Sequence, residues 1–171
     1  CETAPHYLAL CENDMMEDGR FKMNPPLRSS ADRDALIAGL NDGTIDAIAT
    51  DHAPHSHEEK SKGLEHSAMG ISGLETAFPA LYTYLVMSGK VSLQRILEAL
   101  TSSPRKAFGL PPVLEEGAAA DIAIIDTRTE FTIDSSRFLS LGHSTPFEGK
   151  RVQGKVLMTL KDGVAVWKDN N

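Results

Sequence analysis

The sequence predicts an α/β fold that is followed by a smaller β unit. A short β-branched and apolar run at residues 44–50 lies between helical patterns, as parallel strands do in α/β folds. A carboxylate and two histidines follow that run directly. Near the C-terminus, Asp162-Gly163 separates two β-rich stretches, which is a strong signal for a β-hairpin.

The first third of the chain predicts a strand end, a loop, a helix and a strand. Residues 1–10 have the composition of a strand end that Pro5 interrupts, and an acidic loop follows. Ser29-Ser30 offers N-cap oxygens for a helix over 31–41. The brevity and composition of 44–50 then predict a buried parallel strand.

The middle of the chain predicts a long loop and two helices. Residues 56–73 are polar and punctuated by glycine, and a loop of this length usually has a function. A helix over about 74–88 should present one apolar face. A second helix is expected after Ser92, and Pro104 is expected to end the helical region.

The composition shifts after Pro111-Pro112. A strand is expected over 121–126, and the Asp-Gly hairpin follows in the last twenty residues. The C-terminal third therefore predicts a small β unit attached to the α/β unit.

The overall composition excludes several classes of function. The 171 residues carry 24 acidic and 17 basic side chains, a formal net charge of −7, so nucleic acid is not an expected partner. No apolar run approaches the ~20 residues of a membrane span and no signal peptide is visible, so we expect a cytoplasmic protein with no membrane partner. Cys1 and Cys11 predict reduced thiols. Because residue 1 is not Met, we also expect a piece of a longer protein.

The run ATDHAPH at residues 49–55 is the strongest candidate for chemistry. It places Asp51 immediately past the C-terminal end of the predicted strand, where active sites form in parallel α/β folds. A carboxylate can bind zinc and can carry a proton to and from a metal-bound hydroxide. A capping aspartate followed by surface histidines would explain the same residues.

Three further patterns have two interpretations each. His52, His55 and His57 form an H-x-x-H-x-H pattern that would suit a self-contained metal site, although strand-end sites usually take ligands from several strands. Asn24 precedes two prolines, which favours an extended backbone and an amide available to a ligand, or a simple turn. His6 also lies near a strand end, where a structural role is the simpler interpretation.

Motifs along almost the whole chain resemble those of the dihydroorotases of the amidohydrolase superfamily. The matching motifs are KMNPPLR at 22–28, DGTID at 42–46, ATDHAPH at 49–55, Glu59-Lys60, GISGLETAFP at 70–79, EGAAAD at 116–121 and TPF at 145–147. The stretch CETAPHYL at 1–8 is also similar to allantoinases and dihydropyrimidinases. Those families, however, usually carry another residue where His55 stands and lack the MNPPLR run.

The resemblance implies an α/β fold that is the C-terminal part of a (β/α)₈ TIM-type barrel together with part of a small β-sandwich domain. Residues 1–110 would supply the last strands and helices of the barrel, and 111–171 the C-terminal β segment of the composite sandwich. The first six strands would come from the missing N-terminal part of the protein, cleaved from this chain or supplied by a companion chain. A homo-oligomer and aspartate transcarbamoylase are the other partners that the family suggests.

The resemblance also implies an activity and its residues. The activity is a zinc-dependent dihydroorotase with two zinc ions, which cyclises N-carbamoyl-L-aspartate reversibly to L-dihydroorotate in pyrimidine biosynthesis. Asp51 matches the eighth-strand metal ligand and proton carrier, while Asn24 and His55 match contacts to the substrate carboxylate. The backbone at Met69 and Gly70 matches contacts to the ring.

Two alternatives remain open from the sequence. One is an allantoinase-like or dihydropyrimidinase-like cyclic ureide hydrolase, and the other is a non-catalytic dihydroorotase-like scaffold subunit. Only Asp51 among the family's metal ligands is present in these residues, so we expect the fragment alone to be inactive.

Overall fold

The computed structural model describes residues 1–111 and 114–169. Pro112, beside which the sequence predicts a change of composition, lies outside the described residues. Strands β1 (Glu2–Thr3) and β2 (Ala47–Ile48) pair in parallel. Beyond β2, an isolated parallel bridge joins His52 to Ile71 and extends the same strand direction. The described residues therefore include one parallel strand pair with its C-terminal end open.

Helices connect and follow these strands. They are α1 (Pro5–Ala9), α2 (Ser30–Asp42), α3 (His57–Lys60), α4 (Gly63–His66), α5 (Ala77–Leu81), α6 (Leu93–Leu100) and α7 (Ser102–Ala107). A π-helical segment, Tyr82–Val86, continues α5. Within the described ranges, no helix combines the length and the apolar character needed to cross a bilayer.

The predictions for α2 and α6 are confirmed. Ser29 caps α2 by accepting from the amide of Asp32, whose side chain accepts in return from Ser29, which is a capping box. The helix ends at Gly43, which has a left-handed φ of 86° that glycine adopts without strain. Ser92 caps α6 in the predicted way.

Other local predictions are wrong, and two of them involve proline. Pro5 starts α1 instead of breaking a strand, because a proline in the first helical turn loses no hydrogen bond. Pro104 likewise lies in the first turn of α7 instead of ending the helical region. The predicted strand 44–50 is limited to Ala47–Ile48, the residues that have a partner in β1.

The predicted loop 56–73 contains α3 and α4. Ser56 and Glu59 form a capping box at the start of α3, a pattern that the sequence displays as S-x-x-E. The predicted helix over 74–88 begins later, at Ala77, and changes to π-helical geometry at Tyr82.

The C-terminal unit is a three-stranded antiparallel sheet in the order β3-β4-β5. Its strands are β3 (Ile122–Thr132), β4 (Arg151–Lys161) and β5 (Val164–Lys168). The predicted hairpin between β4 and β5 is confirmed, with Asp162 and Gly163 both at positive φ, 51° and 78°. This pair of left-handed residues suits a tight two-residue turn.

Two apolar clusters hold these elements together. One joins the helices to β2 and contains Leu8, Ile37, Leu40, Ile45, Ile48, Leu81, Leu85, Val91, Ile96 and Ala99. The other joins the first third of the chain to the sheet and contains Ala9, Leu10, Phe21, Met23, Leu27, Ile71, Ala80, Ile133, Phe147 and Val152. The second cluster fixes the sheet against the segments that carry the candidate site. The cysteines are free, as predicted: Cys1 is exposed and Cys11 is buried.

Candidate active site

A cavity of about 270 Å³ lies at the open end of the parallel strand pair. It is lined by His6, Met23, Asn24, Asp51, Ala53, Met69, Gly70 and Ile71. Four of the predicted site residues are thus brought together, namely Asn24, Asp51, Met69 and Gly70. His55 instead lines a neighbouring groove of about 580 Å³.

Asp51 stands three residues beyond β2 and is exposed. Its backbone is left-handed, with φ of 49°, which is uncommon outside glycine and is found at strained functional positions. No hydrogen bond or ion pair within the described residues engages its carboxylate. The pKa of the Tyr7 hydroxyl is raised to about 12, mainly because Tyr7 is partly buried and secondly because of the negative charge of Asp51. Asp51 therefore offers a free carboxylate at the cavity.

Tyr7 anchors the segment that carries Asn24. The Tyr7 hydroxyl donates to the carbonyl oxygen of Pro25 at 2.8 Å. Asn24 itself is exposed, while Met23 beside it is buried. The carboxamide is therefore available to a ligand, while the backbone on both sides of it is anchored.

Gly70 allows the third segment to approach the strand end. Its φ is 138°, and a Cβ atom there would lie 2.6 Å from the carbonyl oxygen of Ala53 and 3.1 Å from Nε2 of His55. Any side chain at this position would displace the segment. His55 Nε2 lies 2.9 Å from the Met69 carbonyl oxygen, so that nitrogen donates, while Nδ1 lies 3.6 Å from the Glu59 carboxylate.

His6 is a lining residue that the sequence did not predict. Its ring is 1% exposed and packs against Tyr7 with 4.1 Å between ring centroids. Burial lowers the pKa of His6 to about 4, so the imidazole is neutral at physiological pH. Its Nε2 atom is buried without a hydrogen-bond partner among the residues that the structure describes. The only signal in the sequence was its position just past a short strand.

The self-contained histidine metal site is wrong. His52 uses Nδ1 to accept from the backbone amides of Gly73 and Leu74, at 3.1 and 3.3 Å. His55 contacts Met69, and His57 is exposed at the start of α3. Across residues 1–111 and 114–169, no three His, Cys, Asp or Glu side chains are grouped to hold a metal ion.

The parallel strands with a polar cavity at their end agree with the comparison to known families. The model of the amidohydrolase family matches residues 10–166. The chain belongs to the amidohydrolase family. Its fold is of the α/β TIM-barrel type found in the amidohydrolases with solved structures, which agrees with the barrel part of the predicted fold class.

Curated amidohydrolase relatives carry a specific name. The chain is 54% identical over 172 aligned residues to a dihydroorotase from Brevibacillus brevis, covering 99% of this chain and 40% of that protein. It is 53% identical to a dihydroorotase from Bacillus cytotoxicus, with 98% and 40% covered. The chain thus spans about 40% of the length of these relatives.

The chain also superposes on solved amidohydrolase structures, and it covers a similar share of their length. An L-hydantoinase (dihydropyrimidinase) from Arthrobacter aurescens superposes with a TM-score of 0.88 at 34% identity, covering 98% of this chain and 39% of that one. A dihydropyrimidinase from Brevibacillus agri superposes with a TM-score of 0.84 at 27% identity and the same coverage.

Proposed function

We propose that this chain is the C-terminal part of a zinc-dependent dihydroorotase, which interconverts N-carbamoyl-L-aspartate and L-dihydroorotate in pyrimidine biosynthesis. One observation carries the proposal. A free carboxylate, an exposed carboxamide and the Met69–Gly70 backbone line a single cavity at the end of the parallel strands. A carboxamide and backbone groups can hydrogen-bond a cyclic amide that bears a carboxylate, and a free carboxylate can bind a metal ion and carry a proton. The identity of 53–54% to proteins named dihydroorotase supports this substrate class.

The remaining strands of the barrel would come from the polypeptide that precedes the matching segment in the relatives. We use "completed enzyme" for this chain joined to those strands. In the completed enzyme, residues 1–110 would close the barrel, and 111–171 would form the C-terminal part of a small β-sandwich. The sheet β3-β4-β5 supports this division because it is antiparallel and separate from the parallel pair.

The donor chemistry of the cavity fits one ligand of a shared metal site. Asp51 supplies a single free carboxylate, and carboxylate oxygen is a normal zinc ligand. The other ligands for two zinc ions would come from strands outside this chain. When bound, zinc lowers the pKa of a water molecule to near neutrality and polarises the carbonyl oxygen of the substrate.

The residues of this chain then divide the remaining tasks. Asp51 accepts the proton that the attacking water loses, and gives it to the ring nitrogen as the carbon–nitrogen bond breaks. Asn24 donates hydrogen bonds from its side-chain amide to the substrate carboxylate. His55 lines the neighbouring groove and contacts Met69 beside the cavity, and it would bind the same carboxylate from there. The backbone at Met69 and Gly70 pairs with the edge of the ring. The reverse sequence of proton transfers closes the ring.

The substrate assignment is tested by Asn24→Ala and His55→Ala in the completed enzyme. The loss of one hydrogen bond to the substrate carboxylate costs about 1.5–3 kcal/mol of binding free energy. The value of kcat/KM for dihydroorotate should therefore fall at least about tenfold in each variant. His66→Ala is the control, because His66 is exposed and does not line the cavity.

A cyclic ureide hydrolase is the second candidate, favoured by the TM-score of 0.88 with the Arthrobacter L-hydantoinase. An uncharged ring makes no use of carboxylate contacts, so Asn24→Ala and His55→Ala would leave its turnover unchanged. Turnover of hydantoin or allantoin that exceeds turnover of dihydroorotate, with both variants unaffected, would contradict the dihydroorotase assignment.

A further inference from the structure

Lys60, at the end of α3, is a buried lysine whose ammonium group donates to three backbone carbonyls. Its Nζ atom lies 2.7 Å from the oxygens of Ala68 and Gly70 and 3.0 Å from that of Lys22. The residue is 6% exposed. An ammonium group has three donors, so every one of them is used.

The three acceptors belong to the two segments that carry proposed ligand contacts. Lys22 stands two residues before Asn24, while Ala68 and Gly70 flank Met69. The amide of Gly70 also donates to the Lys22 carbonyl oxygen at 3.0 Å, so the two segments already touch at the backbone. Lys60 adds three hydrogen bonds to this contact and lines the neighbouring groove, not the cavity itself.

The burial of Lys60 is not explained by packing alone. Burial, assisted by the nearby positive charge of Lys22, lowers the pKa of Lys60 to about 8. An apolar side chain of similar length would avoid that desolvation cost, and replacing buried charges in this way is often neutral or stabilising. What an apolar side chain cannot do is hold three carbonyl oxygens at fixed distances.

We propose that Lys60 is a positioning residue for ligand binding. Its ammonium group sets the distance between the segment from Lys22 to Asn24 and the segment from Ala68 to Gly70. The inference rests on the proposed function for its kinetic readout. Asp51 lies on a different segment, beyond β2, and is not among the groups that Lys60 holds. The loss of Lys60 should therefore act on KM and leave kcat nearly unchanged.

The kinetic test compares Lys60→Met with Lys62→Met in the completed enzyme. Lys62 is exposed and two residues away, which makes it a matched control. The loss of one charge-assisted hydrogen bond corresponds to about a tenfold effect, so KM for dihydroorotate should rise about tenfold or more in Lys60→Met only. A kcat that falls as much as KM rises, or a KM that stays unchanged, would overturn the proposal.

Chemical rescue separates positioning from damage to the fold. Lys60→Cys should show the same increase in KM, and alkylation with 2-bromoethylamine should restore it by rebuilding an amine of nearly the same length. The wild-type protein treated in the same way controls for alkylation of Cys1 and Cys11. A KM that does not recover after complete alkylation at residue 60 contradicts the proposal.

Amide hydrogen exchange needs no catalytic turnover, so it tests the positioning role of Lys60 independently of the proposed function. Amide hydrogen exchange in peptides covering 20–28 and 66–72 should be about tenfold faster in Lys60→Met and unchanged in Lys62→Met. If dihydroorotate is not a substrate but exchange responds as expected, the proposed function fails and the positioning role stands. Unchanged exchange in a folded Lys60→Met protein would refute the positioning role.

Discussion

Asp51 differs from the other carboxylates at the strand end in having no partner. Within the described residues, Glu59 accepts from Ser56 and lies near His55, and Glu75 accepts from the amides of Leu139 and Ser140. A carboxylate that has no competing hydrogen bond can bind a metal ion and exchange a proton without first breaking an internal contact. This property distinguishes Asp51 from a capping aspartate, the alternative that the sequence left open.

We expect Asp51→Asn to abolish turnover in the completed enzyme and to leave the fold intact. The amide cannot accept a proton and is a weak zinc ligand, whereas its size equals that of the carboxyl group. Activity, zinc content and far-ultraviolet circular dichroism should be measured together, with Asp42→Asn as an exposed control. More than a few per cent of wild-type activity with normal zinc content would refute both roles of Asp51.

His6 should make stability depend on pH. Its pKa is about 4 in the folded state against 6.5 when unfolded, so between these values the unfolded chain binds the additional proton. The neutral His6 ring makes its full contribution to the free energy of unfolding above pH 6.5. That contribution falls by up to about 3 kcal/mol as the pH drops towards 4.

The measurement is the free energy of urea unfolding of the completed enzyme at pH 7.5 and 4.5. Wild type should lose about 2–3 kcal/mol more than His6→Gln between these pH values, because the other acid-sensitive groups are common to both proteins. His66→Gln, at an exposed position, should behave as wild type. Equal losses in wild type and His6→Gln would show that His6 is not buried as a neutral ring.

At the scale of elements, the sequence predicted those structures whose signals are local. The capping box at Ser29, the glycine that ends α2 and the Asp-Gly turn each act within a few residues. The length of β2 depends instead on its neighbour, because only residues opposite β1 form a ladder. The contacts of Lys60 join segments up to 38 residues apart, which no local pattern encodes.

The site follows the same division. The position of Asp51 just past a strand could be predicted, because a strand end can be recognised from a short apolar run followed by polar residues. Asn24 and Gly70 were found through motifs, although their common cavity depends on tertiary packing. The burial of His6 depends on the helix α1, which the local pattern does not predict because Pro5 resembles a strand break.

Arg95 connects α6 to the end of α2 and to the segment that leads into β2. Its guanidinium donates to the carbonyl oxygens of Leu40 and Ile45, at 2.7 and 2.6 Å. Arg95→Met should lower the free energy of unfolding by about 2–3 kcal/mol, since two buried carbonyls lose a charged donor.

Gln94→Met is the matched control for Arg95, because Gln94 is the neighbouring helix position and its side-chain amide donates to Glu98. A contact of this kind, four residues apart on a helix, contributes a few tenths of a kcal/mol. The free energy of unfolding of both variants should be measured by urea denaturation. Equal values for the two variants would contradict the role of Arg95.

At the scale of the whole molecule, the described residues leave apolar surface uncovered. Two paired strands make up the parallel sheet, although parallel sheets are normally covered on both faces. Several large apolar side chains are also exposed, among them Leu74, Phe108, Leu139, Leu141, Val164 and Val166. The chain by itself should therefore aggregate or fold only partly, hold zinc weakly and show no dihydroorotase activity. Its solubility, near-ultraviolet circular dichroism and zinc content are the quantities to measure.

The most direct test of the dihydroorotase assignment is a chimera in which these 171 residues replace the matching segment of the Brevibacillus brevis dihydroorotase, to which they are 54% identical. We expect a soluble, zinc-containing chimera that hydrolyses dihydroorotate and loses this activity on Asp51→Asn. The 171 residues alone should show no activity. A folded chimera that binds zinc but does not turn over dihydroorotate, or an isolated chain that does, would contradict these expectations.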